Sequence, residues 1–172
     1  LLAAPVHNAF TISIGTADAE ITAANLNSLN DLSSVAIEAG NVTKITGTVA
    51  ATNTVYAAAG NSEINGLGNE AVVISGEISN TLSDASTLNT LDGYTTGTVN
   101  AGSLTTIKGD VSDLLTAYAS NGITGLGNEA ITLDDTSSVS ATDLNTLDSK
   151  TSGDITTHSN LQTLTGTVAA LN

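Results

Sequence analysis

The chain of 172 residues contains no cysteine, methionine, tryptophan or arginine, and it has a single proline. Without cysteine there can be no disulfide bond, no thiolate metal ligand and no cysteine nucleophile. Aromatic residues make up 2% of the chain, so alanine, valine, leucine and isoleucine must fill the interior. Such side chains suit thin, regular layers better than the irregular interior of a globular enzyme.

Positive charge is also scarce, because three lysines face 17 acidic residues and the net charge is -14. Binding a phosphate backbone requires clustered lysine and arginine, so we expect no nucleic-acid partner. An anionic membrane surface is excluded on the same ground. No run of apolar residues approaches the roughly 18 that a membrane-spanning helix needs, so we also expect no membrane insertion.

The sequence repeats itself. The octapeptide at 64–71 returns at 123–130 with seven of its eight residues identical. Two further blocks each occur three times in the same order: a leucine-rich block at 25–30, 87–92 and 143–148, and a block at 45–49, 107–111 and 164–168. These spacings predict a single array of three imperfect copies of about 60 residues, approximately 1–62, 63–121 and 122–172.

Within the second copy, residues 83–91 and 111–118 have the apolar spacing of short helices. Residues 95–107 and 123–133 are rich in β-forming residues. The pattern predicts a mixed α/β repeat solenoid in which each coil of about 30 residues is a short helix followed by a strand, with parallel stacking. An all-β solenoid is the alternative, because threonine and asparagine are frequent in the predicted helices.

The two ends of the chain lie at nearly matching phases of the repeat. Leu2 aligns with Ile64 of the next copy, and residues 167–172 align with 48–53. A solenoid without polar caps exposes its core at both ends, so we expect head-to-tail association of copies into a homopolymer. The residues expected at these assembly ends are Leu1, Leu2, Val6, Phe10, Leu164, Val168 and Leu171.

Few residues could carry catalysis. His7 and His158 are the two histidines, neither recurs in another copy, and no G-x-S-x-G motif accompanies them. The Gly-Leu-Gly turns at 66–68 and 125–127 lack the third glycine or the lysine of a nucleotide-binding loop. An enzyme on a solenoid scaffold would need arginine or aromatic sugar platforms, so we predict no enzyme, no catalytic residue and no bound organic cofactor.

Calcium is the one cofactor that the pattern leaves open. Asp92 and Asp148 recur at one repeat position, and Glu70 and Glu129 recur at another. Oxygen ligands of this kind suit Ca²⁺, although the known calcium-loop consensus sequences are absent. Helix capping and surface solubility are the simpler roles for these four acids, and we favour them. Threonine clusters such as 95–98 also leave an ice-binding face as an alternative, but their β-propensity on an exposed face is the simpler explanation, and we favour it.

The repeat units resemble those of known extracellular proteins. Residues 141–148 and 97–101 are similar to tandem repeats in giant cyanobacterial cell-surface proteins, and the L-N-x-L-D unit resembles repeats of phage tail fibres. The resemblance implies a secreted or cell-surface location and a fibre, coat or adhesin role, without catalytic residues. We therefore expect an extracellular structural repeat protein. The alternative is a surface binding module for carbohydrate, calcium or ice.

Overall fold

The computed structural model describes residues 9–76 and 83–171 of the chain. These residues form a mixed α/β structure in which short helices alternate with short strands. None of the helices in these ranges is long and apolar enough to cross a membrane. The helices are α1 (Ala23–Leu32), α2 (Val49–Gly60), α3 (Ala85–Tyr94), α4 (Val111–Ala119), α5 (Ala141–Asp148) and α6 (Val168–Leu171).

The strands are only two to four residues long, and every pairing between them is parallel. They are β1 (Ile12–Ser13), β2 (Glu20–Thr22), β3 (Ile37–Glu38), β4 (Lys44–Gly47), β5 (Ile64–Asn65), β6 (Ala71–Ile74), β7 (Ser83–Asp84), β8 (Val99–Asn100), β9 (Thr106–Gly109), β10 (Ile123–Thr124), β11 (Ala130–Leu133), β12 (Ser138–Ser140), β13 (Ile155–Thr156) and β14 (Thr163–Thr165).

Polar residues at the strand ends start the helices. Thr22, Thr48 and Ser140 each accept a hydrogen bond from the amide three residues later, and each ends the strand or turn before its helix. Such caps satisfy amides that the helix itself leaves unpaired. Short helices of modest intrinsic propensity are therefore fixed at their first residue by the strand that precedes them.

Helix α3 differs from its prediction at both ends. It begins at Ala85, because Asp84 is its N-cap and accepts from the amide of Ser86. It continues through Asp92 and Gly93 to Tyr94, so the predicted end at residue 91 is wrong. The ring of Tyr94 stacks on Tyr56 with 5.6 Å between centroids, a contact that favours the extra turn over the weak helix propensity of glycine.

The strands belong to four sheets, ordered β1-β3-β5, β2-β4-β6-β8-β10, β7-β9-β11-β13 and β12-β14. In the five-stranded sheet Ile21 pairs with Ile45, and Ile45 pairs with Val72, so neighbouring strands are 24 and 27 residues apart. Val72 pairs in turn with Val99. Ile21, Ile45, Val72 and Val99 are therefore aligned across neighbouring strands and face the core. The predicted parallel stacking of strands requires such an alignment.

The sheets do not coincide with the sequence repeats. Strands β2 and β4 precede helices, whereas β8 and β10 of the same sheet follow helices. The change occurs at β6, an additional strand that pairs with β4 on one side and β8 on the other, and β11 has the same position between β9 and β13. The predicted coil of one helix followed by one strand is therefore wrong, because strands flank each helix and each octapeptide adds another.

The leucine-rich blocks are helical, which rules out the all-β alternative. Leu88 and Leu91 are fully buried on α3, and Leu26 and Leu147 occupy the same positions on α1 and α5. Leucines three residues apart share a face only on a helix, and here that face covers the sheets. The core is one continuous cluster of small aliphatic side chains with Tyr56 as its buried aromatic residue among those described.

Replacing Leu88 by alanine should lower the free energy of unfolding by about 3 kcal/mol, because it leaves a cavity in a fully buried layer. Urea unfolding followed by circular dichroism measures this loss. The matched control is Leu32→Ala, since Leu32 is 58% exposed and should change stability by less than about 0.5 kcal/mol. Equal effects of the two substitutions would contradict this layered core.

Candidate functional site

The recurrent octapeptide forms a turn around a buried carboxylate. Glu70 is fully buried, and its carboxylate accepts hydrogen bonds from the amide of Gly68 at 2.9 and 3.0 Å and from the amide of Asn69 at 3.3 Å. The hydroxyl of Tyr56, on α2, donates to Oε2 of the same carboxylate at 2.9 Å. A buried carboxylate is tolerable only with such donors, so the turn and the tyrosine belong to one unit.

The second octapeptide builds the same unit. Glu129 is fully buried and accepts from the amides of Gly127 and Asn128, and the hydroxyl of Tyr118 on α4 donates to Oε1. Gly125 and Gly127 have positive φ angles, as do Gly66 and Gly68 in the first turn. The identical residues of the repeat are therefore those that shape the turn and hold the carboxylate.

A threonine from a later segment of the chain closes over each turn. The first threonine directly follows helix α3, and the second lies just after helix α5. The hydroxyl of Thr95 donates to the carbonyl oxygen of Glu70 at 2.7 Å and accepts from the amide of Gly97. Thr151 makes the equivalent bond to the carbonyl oxygen of Glu129. At Gly97 a Cβ would lie 2.2 Å from the Glu70 carbonyl oxygen, so only glycine allows the two coils to approach this closely.

Both tyrosines act as hydrogen-bond donors. Burial raises the pKa of Tyr56, and the neighbouring Glu70 carboxylate raises it further. Burial and the hydrogen bond to Glu129 raise the pKa of Tyr118 in the same way. Each phenol therefore keeps its proton over the pH range in which proteins are ordinarily stable, and neither phenol acts as a base there.

These turns offer no free amides for a phosphate, because the carboxylates already occupy the amides of Gly68 and Gly127. His7 lies outside the described residues. His158 accepts the amide hydrogen of Asn160 at Nδ1, with a distance of 3.1 Å, in a local turn. That hydrogen bond orients the imidazole ring within its own loop and does not bring it to a serine hydroxyl.

The four calcium candidates lie in three different environments. Glu70 and Glu129 are fully buried with their oxygens facing hydrogen-bond donors, so the surface role favoured for them from the sequence is wrong. Asp92 accepts from the hydroxyl of Ser120 at 2.6 Å, and Asp148 is exposed at the end of α5. Within residues 9–76 and 83–171 no three acidic or histidine side chains are grouped so that they could hold a metal ion. The arrangement favours structural roles for these acids.

A ladder of asparagines links successive helices. The side-chain amide of Asn27 donates to the carbonyl oxygen of Ala51, two residues into the next helix, at 3.0 Å. Asn53, Asn89 and Asn145 occupy the same helix position and donate to the corresponding carbonyl of the helix that follows, at 2.9 to 3.0 Å. Each of these four bonds runs from one helix to the next helix along the chain. Each bonded pair therefore has a donor helix and an acceptor helix.

The predicted assembly ends are placed in part. Phe10 is 79% exposed, and in the last described coil Leu164, Val168 and Leu171 are 46%, 76% and 47% exposed. Leu1, Leu2 and Val6 lie outside the described residues. The structure therefore presents an apolar surface on β14 and α6.

Sequence reasoning missed the tyrosine–glutamate pairs and the asparagine ladder, although Glu70, Glu129 and three of the four ladder asparagines lie in blocks that it identified. Tyr56 and Tyr118 recur eight and five residues before their octapeptides, and this recurrence was the available signal. The chain matches no protein-family model, no curated protein and no solved structure in the comparisons made.

Replacing Tyr56 by phenylalanine should destabilise the protein by about 1–3 kcal/mol, because a fully buried carboxylate loses its side-chain donor. Thermal and urea unfolding measure the change. Tyr94→Phe is the matched control, since it keeps the ring stack and removes a hydroxyl from a residue that is 42% exposed. A control variant as unstable as Tyr56→Phe would assign the loss to the ring environment rather than to the carboxylate.

Gly97→Ala should destabilise the protein by at least about 2 kcal/mol, because the new methyl group meets the backbone of Glu70. Gly93→Ala is the comparison, because no atom outside its chain neighbours lies within 4 Å and the residue is helical. It should be neutral or stabilising by up to about 1 kcal/mol. Melting temperatures of the two variants give the sign of each effect, and a neutral Gly97→Ala would contradict the close approach of the coils.

Proposed function

We propose that this chain is an extracellular structural repeat protein whose coils stack as a solenoid and join head to tail in a filament, coat or adhesin stalk. The observation that carries this proposal is the asparagine ladder, which repeats one directional contact between neighbouring helices. Units that bind only their two neighbours, each time through the same asparagine-to-carbonyl bond, are suited to forming an extended array. Such bonds need no catalytic group.

The last described coil supports a continuation of the array. Its apolar surface consists of Leu164, Val168 and Leu171, which are all exposed. A further coil of the same kind, from another copy, would cover this surface.

Composition supports a location outside the cell. The high net negative charge keeps long repeat proteins soluble, and the absence of cysteine makes the fold independent of the redox state of its surroundings. The resemblance of the repeat units to those of bacterial surface proteins points the same way. A structural role also accounts for the two buried glutamates, which hold turns together.

Association of the 172-residue protein tests the head-to-tail part of the proposal. We expect concentration-dependent oligomers by light scattering and fibres by electron microscopy. The double variant Leu164→Asp/Val168→Asp should associate about 100-fold more weakly, because two apolar contacts are lost and charges are introduced.

The control Thr98→Asp/Asn121→Asp adds the same charge at exposed positions of the central coils and should assemble like the unmodified protein. A monodisperse monomer at high concentration, with no fibres in micrographs, would overturn head-to-tail assembly. Assembly of the end variant at unchanged affinity would show that association uses another surface.

A further inference from the structure

A groove lies between helices α4 and α5. Its volume is about 340 Å³. Its apolar lining includes Val111, Leu115 and Val139, and the carboxylates of Asp135 and Asp143 lie beside them. Ser112, Ser138 and Ser140 complete the lining. Val111 and Val139 are buried and Leu115 is half-buried, so Leu115 is the apolar side chain that the groove offers to a ligand, beside hydroxyl groups and two carboxylates.

The groove occurs where the asparagine ladder is interrupted. Leu115 stands at the position of α4 that holds Asn27 in α1, Asn53 in α2 and Asn89 in α3. A leucine side chain has no donor, so α4 makes no ladder bond to the carbonyl of Asp143 on α5. Other neighbouring helices are joined at this position by a hydrogen bond. Between α4 and α5 the position holds the apolar side chain of Leu115, which is partly exposed to solvent.

The surroundings of the groove carry strong negative charge. Besides Asp135 and Asp143, three more aspartates lie around the N-terminus of α4: Asp110, Asp113 and Asp134. Burial raises the pKa of Asp110, and the carboxylates of Asp135, Asp113 and Asp134 raise it further. The one lysine in this region, Lys108, is engaged at 3.2 Å with Asp134 and at 3.7 Å with Asp84.

These residues are not shared by the other copies, although Asp135 accepts the amide hydrogen of Val111 at 2.8 Å and Asp134 forms an ion pair with Lys108. Where α4 has Asp110, Asp113 and Leu115, α2 has threonine, alanine and asparagine, and the last copy has the same three residues as α2. Asp134 and Asp135 replace Ser75 and Gly76 of the earlier copy. Asp110 does not even cap its helix with its side chain, whereas Thr48 does. Five neighbouring positions thus diverge together on one surface.

We propose that the groove between α4 and α5 binds a basic segment of another protein. A lysine or arginine side chain of that segment lies with its aliphatic stem on Leu115 and its cationic end among the aspartates. Long basic side chains have both of these chemistries. The partner is a different protein, because this chain has three lysines and no arginine.

Titration with an octalysine peptide tests this proposal, by calorimetry and by the NMR shifts of the Leu115, Val111 and Val139 methyl groups. The decisive variant is Leu115→Asn, which leaves the net charge unchanged and introduces the residue found at this position in the other copies. We expect its affinity to fall about tenfold. Unchanged affinity would mean that the peptide senses only net charge, and the groove would not be its site.

A second pair of variants covers the case in which Leu115→Asn alters the helix packing. Asp110→Thr/Asp113→Ala introduces the residues of the other copies and should weaken binding about tenfold. Asp18→Ala/Asp31→Ala removes the same charge from exposed positions of the first copy and should leave binding within about twofold. Equal losses in both double variants would overturn the proposal, as would displacement of the peptide by calcium chloride at matched ionic strength.

Discussion

A buried carboxylate determines what each repeat can be. Glu70 and Glu129 lie within a core of small aliphatic side chains, where an ionisable group without donors would be prohibitively costly. The donors come from three parts of the chain: the glycine turn, a tyrosine of the preceding helix and, through the glutamate carbonyl, a threonine of the next coil. These bonds join the turn, the preceding helix and the segment after the next helix, and the octapeptide at their centre is the most faithfully repeated segment.

The sequence was sufficient to predict the mixed α/β class, the parallel strands and the positions of two helices, because periodic leucines and recurring blocks report on which face is buried. It was not sufficient for strand number. Strands such as β5 and β10 have two residues, too few for a period to be recognised, and only pairing with neighbours 24 to 27 residues away defines them. The division into three copies and the extracellular role stay predictions.

Site prediction failed for a different reason. Glutamate at a repeat position reads as a surface acid or a cation ligand, since burial cannot be inferred from a single polar residue. Only its partners, Tyr56 in one copy and Tyr118 in the other, reveal that it is an internal acceptor. The asparagines were equally ambiguous, because asparagine in a helix is unfavourable unless the side chain has a tertiary partner, and that partner is a backbone carbonyl that carries no sequence signal.

The internal hydrogen bonds also distinguish two kinds of position when the copies are compared: those that keep the same residue and those that differ. The tyrosine–glutamate pair is the same in both octapeptide units, whereas the groove beside α4 differs from its counterparts at neighbouring positions, including the ladder position that Leu115 occupies. The one-way ladder has a corresponding consequence for how such a chain lengthens. Helices α2 and α3 each donate an asparagine amide to the following helix and accept one at a carbonyl from the preceding helix, so a duplicate of either helix would find both partners already in place. Gene segments encoding whole coils can thus be gained or lost without the compensating substitutions that an insertion into an ordinary globular core requires.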